Sequence, residues 1–168
     1  VAYETGQGVE KDYKKAFEFY KLAADQGHDM AQHNLGLAYE FGRGVEKDLK
    51  QAVKYYQLSA EQGYYGAQNN LGVAYKYGKG VEKDLNKAIK YYQLAADQGS
   101  DNAQNNLGVA YETGQGVEKD YKKAFEFYKL AADQGHEVAQ NNLGLAYEFG
   151  KGVDKDLEQA VKYYQLSA

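Results

Sequence analysis

His28, His33 and His136 are the only imidazoles in the chain, and the first residues to weigh for metal or acid–base chemistry. His28 and His136 hold the same position in two copies of one segment, so a repeat array would keep them far apart. His28 and His33 flank an expected helix start, with no cysteine and no clustered carboxylate beside them. A metal site needs several ligands closing on one point, so no metal is expected, and capping or surface roles are assigned to the histidines. The chain has no Cys, which removes disulfides, thiolate ligands and Cys nucleophiles. Ser59, Ser100 and Ser167 have no recurring His/Asp partners, so no nucleophile–base set forms. Gly42-Arg43-Gly44 and Gly78-Lys79-Gly80 superficially resemble phosphate loops. They follow no strand and lack Walker spacing, so they read as helix stops, and no cofactor is expected.

The ladder Tyr39, Tyr75, Tyr111 and Tyr147 and the ladder Tyr56, Tyr92, Tyr128 and Tyr164 could stack a sugar or a peptide. They lie on an apolar helical stripe, where core packing is the better reading. Asn34, Asn70, Asn106 and Asn142 form a third ladder. Asn is unfavourable within a helix unless its side chain finds a partner, so hydrogen bonds between repeats are expected.

Those ladders have a period of 36 residues. Leu35, Leu71, Leu107 and Leu143 obey it, as do Gly42, Gly78, Gly114 and Gly150, and Asp48, Asp84, Asp120 and Asp156. The register is never broken, and the 168 residues amount to five repeats less 12. The expected boundaries are a partial repeat at 1–30, repeats at 31–66, 67–102 and 103–138, and a partial repeat at 139–168, in one array. Residues 1–28 and 109–136 are identical, so a superrepeat of three units lies above the shorter period. Val1 enters midway through a helix and Ala168 precedes the next helix-stop glycine, so the reading expects a window on a longer array with uncapped ends.

Each unit is expected to be two helices. Ala31, Leu35, Ala38 and Tyr39 recur at helical spacing between Met30 and Phe41, forming a helix A that Gly42 stops. Asp48 is an expected N-cap for a helix B running from Leu49 to about Gln62. Ser100 is an expected N-cap of a later helix A, whereas Tyr64 at the equivalent place is a poor one. In helix B only Lys50, Lys54, Gln57 and Glu61 form a polar stripe, so its wide apolar surface needs neighbours on two sides. Gly36, Gly72, Gly108 and Gly144 sit mid-helix, at a cost of roughly 1 kcal/mol against Ala. A cost repeated in every unit implies a packing reason. The fold class is therefore all-α, a solenoid of 36-residue helix-turn-helix repeats.

Composition agrees. The chain is 43% hydrophobic, which suffices for a core, and has no Pro or Trp but 18 Tyr and 19 Gly. Gly supplies the helix breaks. The formal charge is -4 with Lys and acids interleaved, which leaves no basic footprint for nucleic acid. No apolar run approaches the roughly 20 residues that span a bilayer, so no membrane insertion is expected.

The run Ala67-Gln68-x-x-Leu71-Gly72-x-x-Tyr75-x-x-Gly78-x-Gly80-Val81-x-x-Asp84-x-x-Lys87-Ala88-x-x-Tyr91-Tyr92-x-x-Ala95-Ala96-x-Gln98-Gly99 resembles the Sel-one-like repeat, a relative of the tetratricopeptide repeat. The resemblance extends over the whole chain. It implies a right-handed α-α superhelix whose helices A line a concave face, and a role as an adaptor in protein complexes. Tyr55, Tyr91, Tyr163, Phe19 and Phe127 stand where many members carry Trp. His33, Asn69, Asn105 and Asn141 stand where members often carry an aromatic.

With helix A on the concave face, the candidate partner-binding residues are His33, Glu40 and Phe41; Asn69, Lys76 and Tyr77; Asn105, Glu112 and Thr113; and Asn141, Glu148 and Phe149. They vary in size and charge while the scaffold does not. The expected function is a non-enzymatic scaffold that binds a partner protein or peptide through this stripe. The alternative is a structural protein whose copies stack end to end into a filament.

Overall fold

A computed structural model describes residues 2–8 and 10–167. The expectations about Val1 and Ala168 concern residues outside these. The described residues form ten helices and no strand: α1 (Ala2–Thr5), α2 (Tyr13–Asp25), α3 (Asp29–Phe41), α4 (Leu49–Glu61), α5 (Tyr65–Tyr77), α6 (Leu85–Ala96), α7 (Asp101–Thr113), α8 (Tyr121–Ala132), α9 (Glu137–Phe149) and α10 (Leu157–Leu166). Helices A are α1, α3, α5, α7 and α9; helices B are the others. The chain divides into two compact units, Val1–Asp84 with α1–α5 and Leu85–Ala168 with α6–α10. Within each unit every helix packs against its neighbours in sequence.

Local chemistry explains the helix ends. Asp48 Oδ1 accepts from the backbone N–H of Lys50 (2.9 Å) and Gln51 (3.0 Å), satisfying two donors the helix leaves unpaired. Asp12, Asp120 and Asp156 cap their helices in the same way. Ser100 Oγ accepts from Ala103 N, whereas Tyr64 makes no side-chain cap bond, as expected. Helix A ends at Gly42, whose φ of 68° is left-handed and whose N–H bonds Ala38 O.

The second glycine of each loop does something else. An added Cβ at Gly44 would lie 2.1 Å from Tyr13 O, and one at Gly80 would lie 2.2 Å from Leu49 O. Gly152 meets Tyr121 O in the same way at 2.0 Å. Each loop is therefore seated on the backbone that opens the preceding repeat's helix B. The mid-helix glycines have the packing reason the repeat implied. A Cβ at Gly36, Gly108 or Gly144 would come within 2.5 Å of the ring of Tyr56, Tyr128 or Tyr164 respectively.

The core of each unit is built from Ala and Leu of helix A against Ala and Tyr of helix B. Leu35, Leu71, Leu107 and Leu143 are fully buried. The first tyrosine ladder stacks on the aromatic sixteen residues on: Tyr39 on Tyr55 and Tyr111 on Phe127, each with centroids 5.7 Å apart and rings nearly parallel.

Candidate functional site

The second tyrosine ladder holds both core and chemistry. Tyr56 is buried, and its Oη donates to Glu40 Oε2 at 2.6 Å. Tyr128 Oη donates to Glu112 Oε2 (2.8 Å) and Tyr164 Oη to Glu148 Oε2 (2.5 Å); Tyr20 donates to Glu4. Burial pushes these phenols up, and the adjoining carboxylates add to it. They are held neutral, as hydrogen-bond donors. Each carboxylate that also meets a cation meets one from the following loop: Arg43 at 3.6 Å from Glu4, Lys79 at 3.8 Å from Glu40, and Lys151 at 2.8 Å from Glu112. Burial raises the Glu112 carboxyl, but the bonds from Lys151 and Tyr128 outweigh it and hold it below its ordinary value. Glu40, Glu112 and Glu148 are thus partners of the core tyrosines.

The other candidate residues divide by exposure. Phe41 (58%), Tyr77 (61%) and Phe149 (62%) stand out into solvent at one repeat position. Arg43 lies over the Phe41 ring, and Lys76 and Lys79 lie over Tyr77. Thr113 and Asn141 are exposed, Asn69 and Lys76 half-buried, and Asn105 buried. Thr113 Oγ1 donates to Val109 O at 2.7 Å, and Asn105 Oδ1 accepts from Asn142 Nδ2 at 3.2 Å. This last bond joins two helices A, as the asparagine ladder implied.

His33 departs from the surface or capping role expected of it. It is half-buried between the rings of Tyr56 (5.7 Å) and Tyr64 (5.0 Å), and Asn70 Nδ2 donates to its Nε2 at 3.0 Å. Nδ1 is buried without a hydrogen-bond partner. The sequence hides this because the rings come from α4 and the residue opening α5. His136 does cap, accepting from Ala139 N at 3.2 Å. Burial lowers the His33 pKa, opposed by the Asn34 side chain and the charge of Glu40. Protonation at Nε2 would set a donor against the Asn70 donor. The unfolded chain then binds the proton more readily, so the contribution of His33 to stability is present above its ordinary value near 6.5 and is lost as pH falls below it. The unfolding free energy from urea titrations between pH 7.5 and 5.0 should fall for the native chain, by at most ~1.4 kcal/mol per pH unit from this group. The profile should flatten in His33→Asn, which installs the residue found at this position in the other repeats; unchanged slopes would refute the assignment.

Sequence reading overlooked the glutamines. Gln32, Gln68, Gln104 and Gln140 are buried, and each Nε2 donates to a carbonyl near the end of the preceding helix B, Ala24, Ala60, Ala96 and Ala132 in turn. Their invariance at one repeat position was the available signal.

The space between α4 and α5, lined by residues including Glu40, Tyr56, Asn70 and Lys79, is about 30 Å³, room for one water. An open depression of about 790 Å³ beside Tyr3, Lys11 and Tyr13 recurs at about 420 Å³ beside Tyr111 and Lys119, where the superrepeat places the equivalent residues. Among the described residues no three His, Asp or Glu side chains are grouped to hold a metal ion, and no helix is long and apolar enough to cross a membrane.

Comparison with protein families matches the Sel1 repeat five times, over residues 1–28, 29–64, 66–100, 101–136 and 138–168. The chain belongs to the Sel1 repeat family. Sel1 repeats generally act as protein–protein interaction scaffolds and are typically non-catalytic. Among solved structures the chain is similar to a Sel1 repeat protein from Oxalobacter formigenes, with 37% identity and a TM-score of 0.93 over 99% of this chain and 66% of that one. It is similar also to c5321, a protective antigen present in uropathogenic Escherichia coli strains, with 39% identity and a TM-score of 0.91. That match covers 99% of this chain and 36% of the antigen, so this chain spans about a third of its length. Helicobacter pylori cysteine rich protein B matches at 31% identity and a TM-score of 0.56, over 72% of this chain and 86% of that one. Comparison with curated protein sequences found no match.

Proposed function

We propose that this Sel1 chain is a non-enzymatic scaffold that binds a partner protein or peptide on the helix-A stripe of each unit. The observation that carries the proposal is the exposure of Phe41, Tyr77 and Phe149 at one repeat position, while the aromatics of neighbouring positions stack or bury. Large exposed aromatics with cations beside them are the composition of binding anchors. Lys76, which replaces glutamate at its position, gives the first unit a cation that the second lacks there.

Reversing the charge of Glu40, Glu112 or Glu148 would not isolate this surface, because it would also take the partner from a core tyrosine. The informative variant is the triple Phe41→Ser, Tyr77→Ser, Phe149→Ser. Its melting temperature should stay within about 2 °C of the parent's, since surface changes away from core features cost little. Capture of the cognate partner should be lost; undiminished capture with an intact fold would remove the stripe from consideration.

A further inference from the structure

The exposed aromatics of the first unit differ from that of the second in the charges around them. Arg43 lies 5.1 Å from the ring centroid of Phe41, and Lys76 and Lys79 lie 5.3 and 5.8 Å from that of Tyr77. Phe41 stays exposed although α2 and α4 both pack on α3, so its exposure belongs to the repeat position. Tyr77 repeats that position on α5, which the His33–Asn70 bond joins to α3. At the same positions the second unit has Thr113 with Gln115, and Phe149 with Lys151. Lys151 lies 2.8 Å from Glu112, a direct ion pair. Lys76 alone departs from the glutamate of Glu4, Glu40, Glu112 and Glu148. Among the described residues no carboxylate pairs with it.

The carboxylates nearest these cations lie deeper than the cations do. Glu4 and Glu40 accept the hydroxyls of Tyr20 and Tyr56. Their side chains are 30% and 19% exposed, against 46% for Arg43 and 47% for Lys79. At 3.6 and 3.8 Å the two pairs exceed hydrogen-bond length, so the guanidinium and the ammonium keep donors for another acceptor. The loops that carry Arg43 and Lys79 are seated through Gly44 and Gly80 on the backbone of Tyr13 and Leu49. Rings and loop cations are therefore in place before a partner arrives, which lowers the ordering cost of binding.

We propose that the first unit binds an acidic segment of a partner protein, with apolar side chains against Phe41 and Tyr77 and carboxylates on Arg43, Lys76 and Lys79. The inference rests on the reading of the helix-A stripe as a binding surface, and names the chemistry that the stripe selects. Covering the two rings also takes the cations beside them out of water, and a desolvated cation without a counter-charge is costly. A neutral or basic segment leaves that cost unmet, so charge decides between partners of equal apolar area. A nucleic acid also supplies anions, but it brings a phosphate at every nucleotide to a chain of formal charge -4, with Glu4 and Glu40 beneath the site. In the second unit the one cation of the stripe is already held by Glu112, so the acidic preference belongs to the first.

The probe is a phage-displayed library of random peptides, selected on the immobilised full chain. Selected peptides should be enriched in Asp and Glu beside aromatic or leucine residues. A fluorescent copy of the strongest binder should bind Lys76→Glu about 3- to 30-fold more weakly than the native chain, because the reversal removes one exposed attraction and adds a repulsion of like size. The gap should narrow at high salt. Lys76→Glu installs the residue of the other repeats, so the fold should persist, which circular dichroism checks. Neutral peptides that bind the native chain and are lost in Phe41→Ser, Tyr77→Ser would overturn the acidic preference while the stripe stands as a binding surface. Acidic peptides that bind the double serine variant undiminished would overturn both. Equal binding to the native chain and Lys76→Glu, or no enrichment at all, overturns the proposal. So does a mixed-sequence single-stranded oligonucleotide that binds as tightly as the acidic peptide and is weakened equally by Lys76→Glu, since it would make the site one for nucleic acid.

Discussion

Replacing Gly80 with alanine should destabilise the chain by about 3–5 kcal/mol and lower its melting temperature by roughly 10 °C. Two costs combine. The φ of +72° is left-handed, which costs a non-glycine residue roughly 1–2 kcal/mol. The new Cβ would also lie 2.2 Å from Leu49 O and 2.5 Å from Leu49 C. Those atoms are backbone, so no rotamer change relieves the contact, and the loop must lift from the preceding helix B. Gly63→Ala separates the two costs. Its φ is +93°, but nothing lies within 4 Å of the added methyl, so only the strain should appear. Thermal and urea unfolding of both variants make the comparison. Equal losses at the two sites would show that the close approach contributes nothing.

Gly36→Ala should also destabilise, against the direction that helix propensity predicts. Gly36 lies within α3, where Ala is favoured by roughly 1 kcal/mol. The added methyl would meet Tyr56 Cε1 at 2.5 Å and Cδ1 at 2.6 Å. The Tyr56 ring cannot retreat, being 2% exposed and tethered to Glu40 through its hydroxyl. Overpacking a well-filled core costs about 1–3 kcal/mol, and straining a charge-assisted hydrogen bond adds to it, so a net loss of about 2–4 kcal/mol is expected. The double variant Gly36→Ala, Tyr56→Leu tests the cause. Removing the ring should make the alanine nearly harmless, so the pair should cost clearly less than the sum of the singles. Additive losses would place the origin of the effect elsewhere.

Both effects concern glycines that the period singles out, and they show how far a repeat can be read. Strict recurrence of Gly36 and its equivalents announces a packing constraint, because a helix does not keep a destabilising residue in every unit without one. What presses on Gly36 is a ring twenty residues away on another helix. Gly44 and Gly80 read locally as helix stops, yet their neighbour is the carbonyl that opens the previous helix B. The candidate stripe fared in the same way. Helical spacing places Glu40 and Phe41 side by side on helix A, but the fold turns Glu40 to a core hydroxyl and leaves Phe41 in solvent. His33 sits at a position held by asparagine in the other repeats and lies enclosed by aromatics from two other elements.

By itself the sequence determined the repeat length, the helices and caps, the alanine and leucine core and the family. Each depends on contacts within a few residues or on recurrence every 36, and both are written along the chain. Tertiary structure alone decided which polar side chains are free to meet a partner. Residues sixteen, twenty and thirty-nine apart meet only once helices A, helices B and their loops are packed, and those meetings bind Glu40, Glu112 and Glu148 to the core while leaving Phe41, Tyr77 and Phe149 outside.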